Sequence, residues 1–267
     1  MKLYDGIADV VRKVLIGRGI EPSVLADELG MNMGQFRRYL DGAAQDLDLD
    51  RLAASTGLSE AGLKALVSDR PFPSLPDFVE RLELPFEDET VNAWWIEHRG
   101  LKILVDAGWR AADLEFALEG RKPDLVLITH AHRDHTGGLT FLRGYCRCFG
   151  PVESCEPICE GPWEIHGLTI VTHPLPGHLP TAIGYELRLV DAGEPRLFFP
   201  GDACFASSMG GCPHPQAFQS GCMSLGAALD VLPSTTLLLP GHGAATTVAL
   251  ERELNPFAPF WGISPTP

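Results

Sequence analysis

The spacing of apolar residues changes near residue 72. Before it, Leu25, Leu29, Met31 and Phe36 recur as they would on the inward face of two short helices, with Gly30 at the turn between them. LAASTGLSEAGLKALV (Leu52–Val67) repeats the Leu, Ala and Gly of LADELGMNMGQFRRYL (Leu25–Leu40) at an offset of 27. Residues 1–72 are thus expected to form two α-hairpins or one five-helix bundle. A proline-rich join, SDRPFPSLPDF (Ser68–Phe78), marks the boundary. Beyond it the pattern is of short strands: NAWWIEH, LKILVDAG, LVLITHAH, LTIVTH, IGYELRLV, RLFFPGD and TLLLPGHG. Several are apolar throughout, as strands covered on both faces should be. Helical stretches such as RAADLEFALEG lie between them, so residues 73–267 read as sheets packed between helices, an α+β arrangement.

Charge narrows the function. The net charge is −14. LADELGMNMGQFRRYL resembles a repressor-type helix-turn-helix. Residues 1–72, however, carry nine Lys and Arg against eleven Asp and Glu. A DNA reader draws much of its affinity from neutralising phosphates, so nucleic acid is disfavoured as a partner. A docking, entrance-shaping or homodimerising module is the preferred reading. No apolar run approaches the roughly 18 residues of a membrane span, and the first residues lack a secretory apolar region. A cytoplasmic location is expected. Of the seven cysteines, Cys146, Cys148, Cys155 and Cys159 cluster, but their spacing is not that of a usual zinc ribbon, and ordinary thiols are expected.

The chemistry is concentrated where strands end. Asp106 follows KILV, His130 follows LVLIT, Asp202 follows LFFPG and His242 follows TLLLPG, while His178 lies one loop beyond LTIV. In layered folds such ends share an edge, so distant residues can converge. His130 and His132, two apart, face one side of extended backbone. Asp134 and His135 follow where the chain begins to turn and can address a second point. One motif can thus serve two metals, which lie roughly 3.5–4 Å apart in hydrolytic sites.

THAHRDHTGG resembles the H-x-H-x-D-H signature of the metallo-β-lactamase fold hydrolases, and the later pieces arrive in that family's order over roughly residues 78–260. The resemblance implies an αββα sandwich, here preceded by a small all-α domain. It implies that His130, His132 and His178 hold one metal, that Asp134, His135 and His242 hold a second, and that Asp202 bridges them. Asp106 would orient a ligand. Two divalent ions are implied, zinc first, with iron or manganese as alternatives. They would supply hydroxide at neutral pH, with Asp134 as the catalytic carboxylate that fixes its direction of attack. The tail LLPGHGAATTVALERELNPF is similar to the end of the short, glyoxalase II-like branch. A small thioester or ester is then the expected substrate. The same branch includes persulfide dioxygenases with one iron on the His130, His132, His178 and Asp202 positions, and a metal-domain sensor with a DNA-binding module is a third reading. Cys204 is expected to line the pocket, His98 and His166 to be solvated, and His173 to support a ligand. His214 lies in an expected active-site loop.

Overall fold

A computed structural model describes residues 3–42, 47–158, 161–189 and 195–262. Five helices come first: α1 (Ile7–Arg18), α2 (Pro22–Glu28), α3 (Met33–Leu40), α4 (Leu49–Thr56) and α5 (Glu60–Leu66). The starts of α3, α4 and α5 are set by short polar side chains. Asn32 accepts from the Gln35 amide at 3.0 Å, and the Gln35 side chain accepts from the Asn32 amide at 2.9 Å. Asp48 and Ser59 cap α4 and α5 in the same way. Each such cap satisfies a backbone donor that the helix itself leaves open.

The remainder is a two-sheet sandwich. The first sheet runs in the order β1 (Val79–Phe86), β2 (Glu89–His98), β3 (Leu101–Val105), β4 (Leu125–Leu127), β5 (Arg147–Phe149). Its first three strands are antiparallel, and β3, β4 and β5 run parallel. Helix α6 (Ala111–Leu118) joins β3 to β4, and α7 (Arg133–Thr136) and α8 (Leu139–Leu142) precede β5. The second sheet contains β6 (Trp163–Ile165), β7 (Leu168–Pro174), β8 (Ile183–Leu189), β9 (Leu197–Gly201), β10 (Leu237–Pro240) and β11 (Thr246–Thr247), lying side by side from β11 to β6. Helix α9 (Pro215–Val231) crosses from β9 to the parallel β10, and α10 (Val248–Leu254) follows β11.

Three apolar layers hold this together. Trp94, Ile103 and Leu127 of the first sheet meet Tyr185, Phe199 and Leu239 of the second. Trp95, Leu104 and Val126 face outward against Leu114, Leu118 and Leu139 of α6 and α8. Phe198 and Leu238 face the other way, against Phe218, Leu225 and Leu229 of α9. This last layer also takes in Val14, Leu25, Phe36, Leu52 and Leu63 of the N-terminal helices, so the helical module and α9 share one core. Of the expected inward-facing residues, Leu25 and Phe36 are fully buried, and Leu29 and Met31 are half-buried against the same core. Helix α9 went unassigned in the sequence reading, although Phe218, Cys222, Leu225 and Leu229 recur at helical spacing. No helix among the described residues is long and apolar enough to cross a membrane.

Candidate metal centre

Strand β4 is only three residues long, and its end explains the site. The Thr129 amide donates to Asp106 Oδ1 at 2.8 Å, not to a neighbouring strand. Asp106 itself has φ +62°, a left-handed conformation uncommon outside glycine and best tolerated by Asx-type residues. The chain is thereby turned out of the sheet, and His130 and His132 follow at once. Asp134 and His135 lie on the single-turn helix α7. His178 comes from the loop after β7, Asp202 from the end of β9 and His242 from the end of β10. The first glycine of LPGHG is needed for space. A Cβ on Gly241 would lie 2.3 Å from Asp202 Oδ1 and 2.5 Å from His135 Cε1.

All seven residues expected as ligands converge. The ligand atoms of His130, His132 and His178 form one group in which every pair lies within 4.8 Å, and those of Asp134, His135 and His242 form another. A third group of the same tightness joins His130, His135 and Asp202. Asp202 stands between the sets: its Oδ2 lies 3.5 Å from His178 Nε2 and 3.7 Å from His242 Nε2, and its Oδ1 lies 3.4 Å from His135 Nε2.

Four of the five rings are fixed from behind. Nδ1 of His135 donates to Asp106 Oδ2 at 2.8 Å, that of His178 to the Gly211 carbonyl at 2.7 Å, and that of His242 to the Thr90 carbonyl at 2.8 Å. His130 Nδ1 lies 3.0 Å from Thr129 Oγ1, whose hydroxyl in turn donates to Asp106. With Nδ1 engaged, Nε2 of each ring is turned toward the cluster with a lone pair available, the arrangement that outer partners impose on metal-binding imidazoles. His132 alone faces inward through Nδ1, 2.8 Å from His178 Nε2.

These contacts fit a cation. Two imidazole nitrogens at 2.8 Å require a proton or a metal between them. His135 Nε2 and Asp202 Oδ1 are buried with no hydrogen-bond partner, a costly state unless something coordinates them. Without a metal, protons must play its part. Burial opposes charge on His135 and His242, yet the neighbouring carboxylates outweigh it and raise both. Burial likewise opposes ionisation of Asp202 and Asp134, and the facing imidazoles hold both low. His130 is pushed well down, by burial first and then by His135. The donor set, imidazole with carboxylate, suits a divalent transition metal.

Residues 87–148 match the family model described as the metallo-beta-lactamase superfamily. The chain carries a metallo-β-lactamase domain. It is 31% identical over 163 residues to a hydroxyacylglutathione hydrolase from Aeromonas hydrophila, covering 56% of this chain and 59% of that protein. The chain thus spans well under two thirds of that relative's length. Among solved structures, ETHE1 from Myxococcus xanthus superposes with a TM-score of 0.53 at 24% identity, covering 67% of this chain and 84% of that one. TTHA1623 in a di-iron-bound form gives a TM-score of 0.52 at 25% identity, covering 66% and 98%.

Around the cluster of the metallo-β-lactamase domain opens a cleft of about 540 Å³, which Tyr4, Phe86, Glu87, Trp109 and Arg133 line beside the His and Asp side chains. Three expectations need correction. Cys204 does not line this cleft. It is buried among the apolar residues shared with the N-terminal helices, and burial pushes its thiol well up. His98 is not solvated but buried, edge-on to Phe78. His173 supports no ligand; it pairs with Glu186 at 3.2 Å on the second sheet. His166 is exposed in the β6–β7 turn. His214 caps α9, its ring nitrogen accepting from the Ala217 amide at 3.2 Å. Cys148 and Cys155 lie with their sulfurs 3.1 Å apart, and Cys159 falls outside the described residues. The sequence reading missed Tyr4, Thr129, Trp109 and the Thr90 and Gly211 carbonyls. Thr129, beside a histidine at a strand end, carried the only signal.

Proposed function

We propose that the chain is a metal-dependent hydrolase that cleaves a small thioester or ester. The observation that carries this is the convergence of five imidazoles and two carboxylates on one cleft, with four of the rings pinned through Nδ1. In this reading His130, His132 and His178 would hold one divalent ion, Asp134, His135 and His242 would hold the other, and Asp202 would serve both. Such ions lower the pKa of water to near 7 and polarise a carbonyl oxygen.

The chain's own groups supply the rest. Asp134 is kept ionised at the cleft by the facing imidazoles, so one of its oxygens can accept a hydrogen bond from an attacking water and set the water's direction. His135, fully buried, is held rigid by Asp106. The cleft has the size of a small-molecule site. The Aeromonas relative is named hydroxyacylglutathione hydrolase, which supports thioester chemistry here.

The test is metal analysis of purified protein together with paired assays of thioester or ester cleavage and oxygen uptake. About two divalent ions per chain and hydrolysis lost on chelation are expected. One iron per chain with oxygen consumption and no hydrolysis would replace this reading with an oxidative one.

A further inference from the structure

We infer that the N-terminal segment builds one wall of an acyl-binding subsite, in which Tyr4 contacts an uncharged aryl or branched alkyl acyl group. This deepens the hydrolase reading and rests on it.

Tyr4 precedes α1 by three residues and lies far from every other site residue in sequence, yet its ring is in the cleft. It stacks on His242 with centroids 4.5 Å apart and 23° between planes. Phe205 meets it edge-on at 5.3 Å. The position is anchored on several sides. The Tyr4 hydroxyl donates to Glu89, and Asp5, buried, pairs with Lys13 of α1. Gly243, at φ +75°, is the residue that admits the ring: a Cβ there would lie 2.9 Å from the Tyr4 Cβ. Both glycines of LPGHG therefore keep space clear, one for the ligand cluster and one for this tyrosine.

The other aromatic groups of the cleft continue the wall. Phe86 lies 5.8 Å from the His242 ring and packs edge-on against Trp109 at 5.4 Å. Aromatic faces beside a hydrolytic centre favour a flat or bulky apolar group. The charges around Tyr4 decide against an anionic one. Glu87 lines the same cleft, and Asp88 and Glu89 line the adjoining one that shares Tyr4. Of the nearby cations, Arg81 is paired with Glu83, and Arg110, over the Trp109 ring at 4.7 Å, and Arg133 stand against the three remaining carboxylates. An acyl group with a carboxylate of its own would meet this acidic rim.

The test uses the full, metal-loaded chain and two thioesters of one thiol, phenylacetyl and lactoyl. Wild type should prefer the phenylacetyl thioester. Tyr4→Ala should lower the phenylacetyl-to-lactoyl ratio of kcat/KM about tenfold, chiefly through KM, the loss expected for one aromatic contact. Tyr4→Phe should restore the ratio. An equal loss on both substrates, or a wild-type preference for lactoyl, would overturn the proposal. If neither thioester is cleaved, the hydrolase reading fails separately, and binding of uncharged phenylacetamide decides the subsite. Binding about tenfold weaker in Tyr4→Ala supports it, and equal binding in both proteins overturns it.

Discussion

Asp106 accepts a hydrogen bond from Nδ1 of His135 at 2.8 Å, and both side chains are buried. The same carboxylate accepts from the Thr129 amide and hydroxyl. One residue therefore positions His135 and shapes the backbone that carries the histidine motif. Asp106→Asn keeps a side chain that tolerates the left-handed backbone but sets an amide N–H against the Thr129 donors or His135. Metal affinity should fall about 10–100-fold, the usual cost of removing such an outer partner. Competition with a chromophoric chelator measures this, with circular dichroism confirming the fold.

Gly241→Ala places a methyl group inside contact distance of Asp202 and His135. Neither neighbour can yield without leaving the cluster, so one or both sets of ligands must open. The expected outcome is a folded protein that retains fewer than two ions per chain, read by metal analysis after gel filtration.

Removal of metal should couple to pH. In its absence the raised histidines His135 and His242 carry protons that a cation must displace. Apparent metal affinity should thus rise with pH past the ordinary histidine value of 6.5 and above it, where these raised groups lose their protons. Calorimetric titration in two buffers of different ionisation enthalpy should reveal proton release on binding. Affinity that is flat with pH, with no proton release, contradicts this.

Arg70, in the join between the helical module and β1, is bonded to Glu251 at 2.8 Å, with side chains only 2% and 0% exposed. Glu251 also accepts from the Ser207 amide at 2.8 Å, and Asn255 reaches the Ser208 carbonyl at 2.9 Å. The network holds the loop that follows Asp202. Arg70→Met leaves a buried carboxylate uncompensated and should cost about 3–5 kcal/mol. Chemical denaturation reads the loss, which Glu251→Gln in the same chain should partly reverse.

Acid should weaken the fold through Glu186. Burial opposes its ionisation, but bonds from His173 and Arg188 outweigh this and bring the carboxyl down to about 2 from an ordinary 4.5. A lowered folded-state value means the stabilisation is complete above pH 4.5 and is lost as the pH falls toward 2. Arg188 and Arg196 are 42% and 40% exposed, so water screens the pairs, and the contribution is on the order of 1–2 kcal/mol. Denaturation midpoints for wild type and Glu186→Gln should converge at low pH. A constant difference from pH 7 to 2.5 would argue against it.

The convergent His and Asp cluster was legible in the letters. His130, His132, Asp134, His135, His178, Asp202 and His242 are residue types with few alternative uses in such density, placed just after apolar runs or, for His178, one loop beyond, and strand ends on one edge converge by the geometry of layered sheets. Asp106 was legible for the same reason. Tertiary structure alone decided how the rings are held and who else enters the cleft. The carbonyls of Thr90 and Gly211 bear no side-chain signature, because every residue has a carbonyl and only packing chooses which one meets an imidazole. Cys204 and His98 were misjudged because a position next to a ligand or a turn does not reveal which way a side chain points. Tyr4 reaches His242 across more than two hundred residues of chain. That contact exists because the N-terminal helices bury their apolar faces against α9 and so bring the segment before α1 to the edge of the metal cluster, a consequence of shared burial that no local pattern encodes.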